Sequence, residues 1–82
     1  MTYHLIQLAP GAYDLILHGN VIASVVRHGS RQPYIWTAEL LEDLPQTRRP
    51  SPFQDIEHDF SSLEEVCAWL GDPEIKPLRR TE

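Results

Sequence analysis

A chain of 82 residues with 41% hydrophobic and 23% charged residues has the composition of an ordinary folded domain, and folding at this size buries only about 60 to 65% of the surface that the unfolded chain exposes. A deep enzymatic cleft is hard to build at that scale. The formal net charge of −5 repels phosphate backbones and anionic membrane surfaces, which disfavours non-specific nucleic-acid binding.

The first strand expected is Tyr3 to Leu8, stopped by Pro10-Gly11, a pair that turns the chain because proline fixes φ and glycine accepts positive φ. Ala12 to His18 follows, with Tyr13, Leu15 and Leu17 on one face and Asp14 and His18 on the other. Gly19-Asn20 reads as a tight hairpin turn into Val21 to Arg27. That segment is apolar on both faces except at Ser24, the pattern of a central strand. After a polar turn from His28 to Pro33, Tyr34 to Leu41 places Tyr34, Trp36, Ala38 and Leu40 on one face at period two. Ala38-Glu-Leu-Leu-Glu is also locally helix-favouring, so a helix starting at Thr37 and running through Glu42 to Pro45 is the competing assignment.

Leu44 to Asp59 carries Pro45, Pro50 and Pro52 and is longer than compact domains leave structureless, so it is either functional or pinned. Phe53 and Ile56 are its candidate anchors, and His58 to Phe60 a short extended lead into the next element. That element is a helix over Ser61 to Leu70. Ser61 with Glu64, or Ser62 with Glu65, forms a reciprocal capping box, and both glutamates sit at the positive end of the helix dipole. Leu63, Val66, Cys67 and Leu70 make one apolar stripe flanked by Trp69. Gly71 and Pro73 end the helix. Glu74 to Glu82 lacks periodicity and reads as a flexible tail. The sequence therefore predicts an α+β domain over residues 1–73, a three- to four-stranded antiparallel meander with one C-terminal helix packed on one face.

The chemistry-bearing residues are scattered. One cysteine, Cys67, excludes an intrachain disulfide and a thiolate-rich zinc site, and since a secreted domain this small would usually need such staples, the cytoplasm is the compartment expected. His4, His18, His28 and His58 show no paired ligand spacing, so no structural metal is expected. On the core-facing stripe, Cys67 would have a raised pKa and little nucleophilicity. Glu39, Glu42, Asp43, Asp55, Glu57 and Asp59 gather near the loop as a solvated acidic face, with nothing that sets two of them across a pocket. Ser24 lacks a glycine elbow, and each glycine is explained by a turn or a cap. No cofactor is implied, and no apolar run reaches membrane-spanning length.

Arg48-Arg49-Pro50-Ser51-Pro52 is the sharpest segment in composition. Two arginines on a stiff extended backbone present bidentate donors to a partner's carboxylates. With Trp36 and Phe53 as aromatic anchors, Arg48 and Arg49 define the expected interaction surface of a non-enzymatic cytoplasmic module, whose partner is another protein or a second copy in a homodimer. Charge reversal of both arginines is expected to leave the fold intact. A three-stranded antiparallel sheet followed by a helix resembles, in layout alone, small DNA-binding modules such as integrase-arm domains and the plant ethylene-response type. That layout implies the alternative, a small nucleic-acid-binding regulator using the sheet face and the Arg48-Arg49 loop. A basic patch of Arg27, Arg31, Arg48 and Arg49 on one surface would favour the regulator. An apolar patch around Trp36 or Tyr34 would favour the protein partner.

Overall fold

The computed structural model describes residues 2–77, and it places six strands in one mixed sheet with a single α-helix. Strands β1 (Tyr3–Ala9), β2 (Ala12–Leu17), β3 (Asn20–His28) and β4 (Ile35–Leu40) form the expected antiparallel meander. β5 (Glu57–Phe60) adds to β4 antiparallel, and β6 (Glu74–Lys76) adds to β1 parallel, giving the order β5-β4-β3-β2-β1-β6. Two corrections follow. The sheet has six strands rather than three or four and is not purely antiparallel. Glu74 to Lys76, expected as tail, form an edge strand; Leu78 to Glu82 lie outside the described residues. β6 gave no periodic signal because all three of its residues are exposed, so backbone pairing with His4, Leu5 and Ile6 holds it rather than burial. His4 Nδ1 and Glu74 Oε1 lie 3.5 Å apart across that pair.

Turn chemistry sets the register. Ala9 pairs with Ala12 across Pro10-Gly11, and Gly11 takes φ +79°. That left-handed conformation is what calls for glycine, while a Cβ there would crowd only the exposed Arg27 side chain, with Nε at 3.1 Å, which would have to shift by a few tenths of an ångström. In the next hairpin Leu17 pairs with Asn20, which makes His18-Gly19 the turn rather than Gly19-Asn20. Both residues take positive φ, 53° and 78°, the conformation a two-residue turn needs to match strand twist. A bulge follows: Ile16 pairs with Val21 and Leu15 with Ala23, leaving Ile22 as the extra residue. The bulge restores Ala23 and Val25 to the face that carries Tyr13 and Leu15.

β4 is a strand and not a helix. Ala38 pairs with Val25 and Leu40 with Ala23, and all four are buried. Cross-strand packing outweighs the few tenths of a kcal/mol per residue that local propensity offers a helix.

The core lies on one face of the sheet. Tyr3, Leu5, Tyr13, Leu15, Leu17, Ala23, Val25, Ala38 and Leu40 meet Phe53 from the loop and Val66 and Leu70 from α1 (Leu63–Leu70). Helix α1 links edge strand β5 to the opposite edge strand β6, about 24 Å apart across five strand spacings, so its chain must cross the sheet face. Its caps are those the sequence encodes. Ser62 Oγ accepts from Glu65 N at 3.1 Å, and Glu65 Oε1 accepts from Ser61 N at 2.9 Å, which selects the second of the two capping pairs. Gly71 is left-handed, with Gly71 N donating to Ala68 O and Asp72 N to Cys67 O, a Schellman closure.

Leu44 to Ile56 is pinned rather than bare. It contains a single 3-10 turn, Gln46–Arg48, and a further turn in which Phe53 N donates to Pro50 O at 2.8 Å. Its far end is tied to the first strand by the Tyr3 hydroxyl, which donates to Ser51 O.

Candidate functional site

The expected interaction residues do not share one surface. Phe53 is 5% exposed and packs edge-on against Trp69, ring centroids 4.8 Å apart. It is a core residue and cannot anchor a partner. Trp36 is half-buried on the covered face, 6.0 Å from Tyr13. Tyr34 is half-buried beneath the Arg27 guanidinium, 4.3 Å from its ring centroid. Neither aromatic forms an exposed patch.

The two adjacent arginines separate. Arg49 is half-buried and binds the loop to itself: Nε donates to Leu44 O at 3.0 Å, and an Nη donates to Gln54 O at 2.7 Å. Arg48 is exposed, and no hydrogen bond or ion pair engages its guanidinium among the described residues. Neighbours in sequence thus have opposite roles because the chain leaves the turn between them: Arg48 is the last residue of the 3-10 turn, and Arg49 is already extended, with φ −73° and ψ 133°. Reversing both charges is therefore not a neutral surface change, contrary to the expectation from sequence. Arg49→Ala should cost about 1 to 3 kcal/mol, since it leaves two carbonyl acceptors without a charged donor. Arg48→Ala should stay within about 0.5 kcal/mol. Urea denaturation of the two single variants checks the split, and equal losses would contradict it.

Arg48 faces a cavity of about 510 Å³ at the start of β3. Val21, Leu41, Leu44 and Pro50 supply its apolar walls, and Glu42 and Arg48 its polar ones. Val21 is 44% exposed and Leu41 60%, so this pocket gathers two of the large apolar side chains that the fold leaves in water. Leu41 N donates to Ile22 O at 3.0 Å, which fixes the strand-to-loop corner that forms the wall. The sequence held one sign of this site, the Arg48 loop; the rest depends on the β3 bulge and on a corner that brings residues twenty positions apart together.

Beneath the loop, His58 closes a second cluster. Its Nε2 accepts from Gln54 N at 3.2 Å and from Asp55 N at 3.0 Å, which requires that nitrogen to carry no proton. The ring also packs 4.8 Å from Trp69 and 5.9 Å from Phe53, between centroids. This histidine shapes the loop. No group of three or more His, Cys, Asp or Glu side chains placed to hold a metal occurs among the described residues.

Cys67 sits on the helix stripe, half-buried. Burial first, and the nearby Asp72 and Glu64 carboxylates second, push its thiol above the ordinary range. A raised folded-state pKa stabilises the protein fully below the unfolded-state value and is lost as pH rises through the folded one. Stability should therefore decline above about pH 8.5, and Cys67→Ala should remove part of that decline. Thermal melts from pH 7 to 10 on both proteins test this, and identical slopes would contradict it. At neutral pH the thiol should also react with Ellman's reagent more slowly than free cysteine.

No family model matches the chain, and no solved structure matches it. Over 65 residues it is 29% identical to part of the DNA polymerase delta catalytic subunit of Dictyostelium discoideum. The alignment covers 72% of this chain and 6% of that protein. The chain spans a small fraction of that relative's length, and the match carries none of the relative's activity to it. No helix among the described residues is long and apolar enough to cross a membrane.

Proposed function

We propose that this chain is a non-catalytic protein-interaction module that docks its partner at the Val21-Leu41-Arg48 cavity. The observation that supports it is the pairing, in one cavity, of water-exposed apolar walls with an arginine that has no partner among the described residues. An apolar side chain of the partner fills the cavity, and a neighbouring carboxylate engages Arg48. The cytoplasm is the compartment this reading assigns, in keeping with a single free thiol.

The nucleic-acid reading has less to stand on. It needs one basic surface, and the arginines are divided between surfaces. Arg27 lies near the end of β3 with Tyr34, whereas Arg48 lies beside Val21 near its start, roughly 20 Å away along the strand. The outward face of the sheet carries Asp14, Glu39, Glu57 and Asp59, which repel phosphate.

The test is affinity capture with mass spectrometry, using the wild-type chain beside Arg48→Glu and Leu41→Glu. Both variants should melt within about 2 to 3 °C of the wild type, because both positions are exposed. A partner recovered by the wild type and lost from both variants bears the reading out. The same recovery from all three proteins removes this cavity as the docking site, and light scattering that shows a stable dimer disrupted by either variant makes the partner a second copy.

A further inference from the structure

We propose that the outer edge of β5 is a strand-addition site that takes an extended, lysine- or arginine-bearing segment of another protein. This site is separate from the Arg48 cavity, which lies at the corner between β3 and the loop.

Backbone geometry comes first. Leu40 N donates to Ile56 O at 2.9 Å, so Leu40 and Ile56 form a hydrogen-bonded pair. Antiparallel pairing alternates, which makes Ala38 with His58 and Trp36 with Phe60 the next bonded pairs in the observed register. The amide and carbonyl groups of Glu57 and Asp59 therefore point away from β4. β5 ends the sheet, so no strand meets them, and among the described residues no hydrogen bond engages them. Four backbone groups at the spacing of a strand template are left to water.

Side chains then select the occupant. Glu57 and Asp59 are exposed and share the outward face with Glu39, which lies opposite Glu57 on β4. Asp59 Oδ1 accepts from Thr37 Oγ1 at 2.7 Å, which holds that carboxylate beside the edge. No ion pair neutralises these three carboxylates among the described residues. A second copy adding through its own β5 would set acidic side chains against acidic side chains, a destabilising arrangement. Self-pairing at this edge is thereby disfavoured. A strand with basic side chains at alternate positions reverses the sign of every cross-strand contact and leaves its other face free for apolar residues. A cavity of about 420 Å³ opens beyond the C-terminal end of β5, lined by Tyr34, Ile35, Asp59, Phe60 and Glu65 among others, and would receive an apolar side chain at the end of the added segment. Ile35 is 52% exposed there.

The experiment uses the full chain and three fluorescein-labelled seven-residue probes: alternating Lys and Val, alternating Glu and Val, and the Lys-Val peptide N-methylated at the residues that would pair with Glu57 and Asp59. The Lys-Val probe should bind, measured by fluorescence anisotropy, and should shift the Glu57 and Asp59 amide resonances and slow their exchange. The Glu-Val and N-methylated probes should bind at least about tenfold more weakly, a difference of about 1.4 kcal/mol. Glu39→Lys combined with Glu57→Lys, two exposed side chains without hydrogen bonds or ion pairs among the described residues, should weaken the Lys-Val probe by a similar factor while the melting temperature holds. Failure of the Lys-Val probe to bind below 1 mM, on the order of −4.1 kcal/mol, would overturn the proposal. So would binding that N-methylation leaves unchanged, which would mean charge attraction without strand addition, or equal binding of the acidic probe.

Discussion

Phe53→Ala is expected to lower stability by about 3 to 5 kcal/mol, the range for removing a buried aromatic ring, and to do so from a loop position that the sequence offered both as an anchor of the loop and as a contact for a partner. Phe53 is 5% exposed and belongs to the same buried cluster as Val66 and Leu70. Its ring meets Trp69 edge-on, and the His58 ring stands against it while capping two loop amides. Removing it empties space under the loop and loosens the support for the His58 contacts. A domain of this size is stable by roughly 4 to 12 kcal/mol in total, so the loss takes a large share and should lower the melting temperature by at least about 12 °C. Phe53→Leu, which keeps most of the volume, should restore more than half of it. Urea denaturation with an unchanged slope is the measurement. A loss below about 1 kcal/mol would mean that the loop is not anchored by this ring, and that Phe53 is available to a partner after all.

That residue marks the boundary of what the sequence could reveal. Elements specified by near neighbours were legible: the helix, whose cap, stripe and glycine stop lie within eleven residues, and the meander, whose first two turns each carry a glycine at positive φ. Where the structure departs, the deciding contact is distant. β4 is a strand because β3 and β5 hold it on both sides, against the helical preference of Ala38-Glu-Leu-Leu-Glu. β6 exists through parallel pairing with residues some seventy positions earlier, and it buries nothing that periodicity could register. The Phe53, His58 and Trp69 cluster joins a loop, an edge strand and a helix, so no local pattern announces it. The candidate site is legible by the same rule only in part. Arg48 and Arg49 are indistinguishable by type, and only the loop's path shows that one is spent on Leu44 and Gln54 carbonyls while the other has no partner among the described residues.

Leu70→Ala should cost about 2 to 4 kcal/mol, a loss carried by the contact between helix and sheet rather than by helix propensity, since alanine is the better helix former. Leu70 is 7% exposed, closes the stripe that begins at Leu63, and lies one residue before the left-handed Gly71 that ends the helix. An eight-residue helix is far below the length that is stable alone in water, so α1 exists because this face is buried. The expected cost sits toward the lower part of the range seen for such truncations, because a cavity of about 310 Å³ beside Tyr3, Pro52 and Leu70 opens toward solvent and lets water fill part of the space. Glu64→Ala, exposed on the opposite side of the first turn, serves as the control and should stay within about 0.5 to 1 kcal/mol, the value of one charge near the helix N-terminus. Chemical denaturation of both variants separates the explanations. Similar losses for Leu70 and Glu64 would make α1 a surface element without a docked face. A loss confined to Leu70, together with faster amide exchange in α1 than in β2 and β3, would show that the helix is held to the sheet by that face and opens before the meander does.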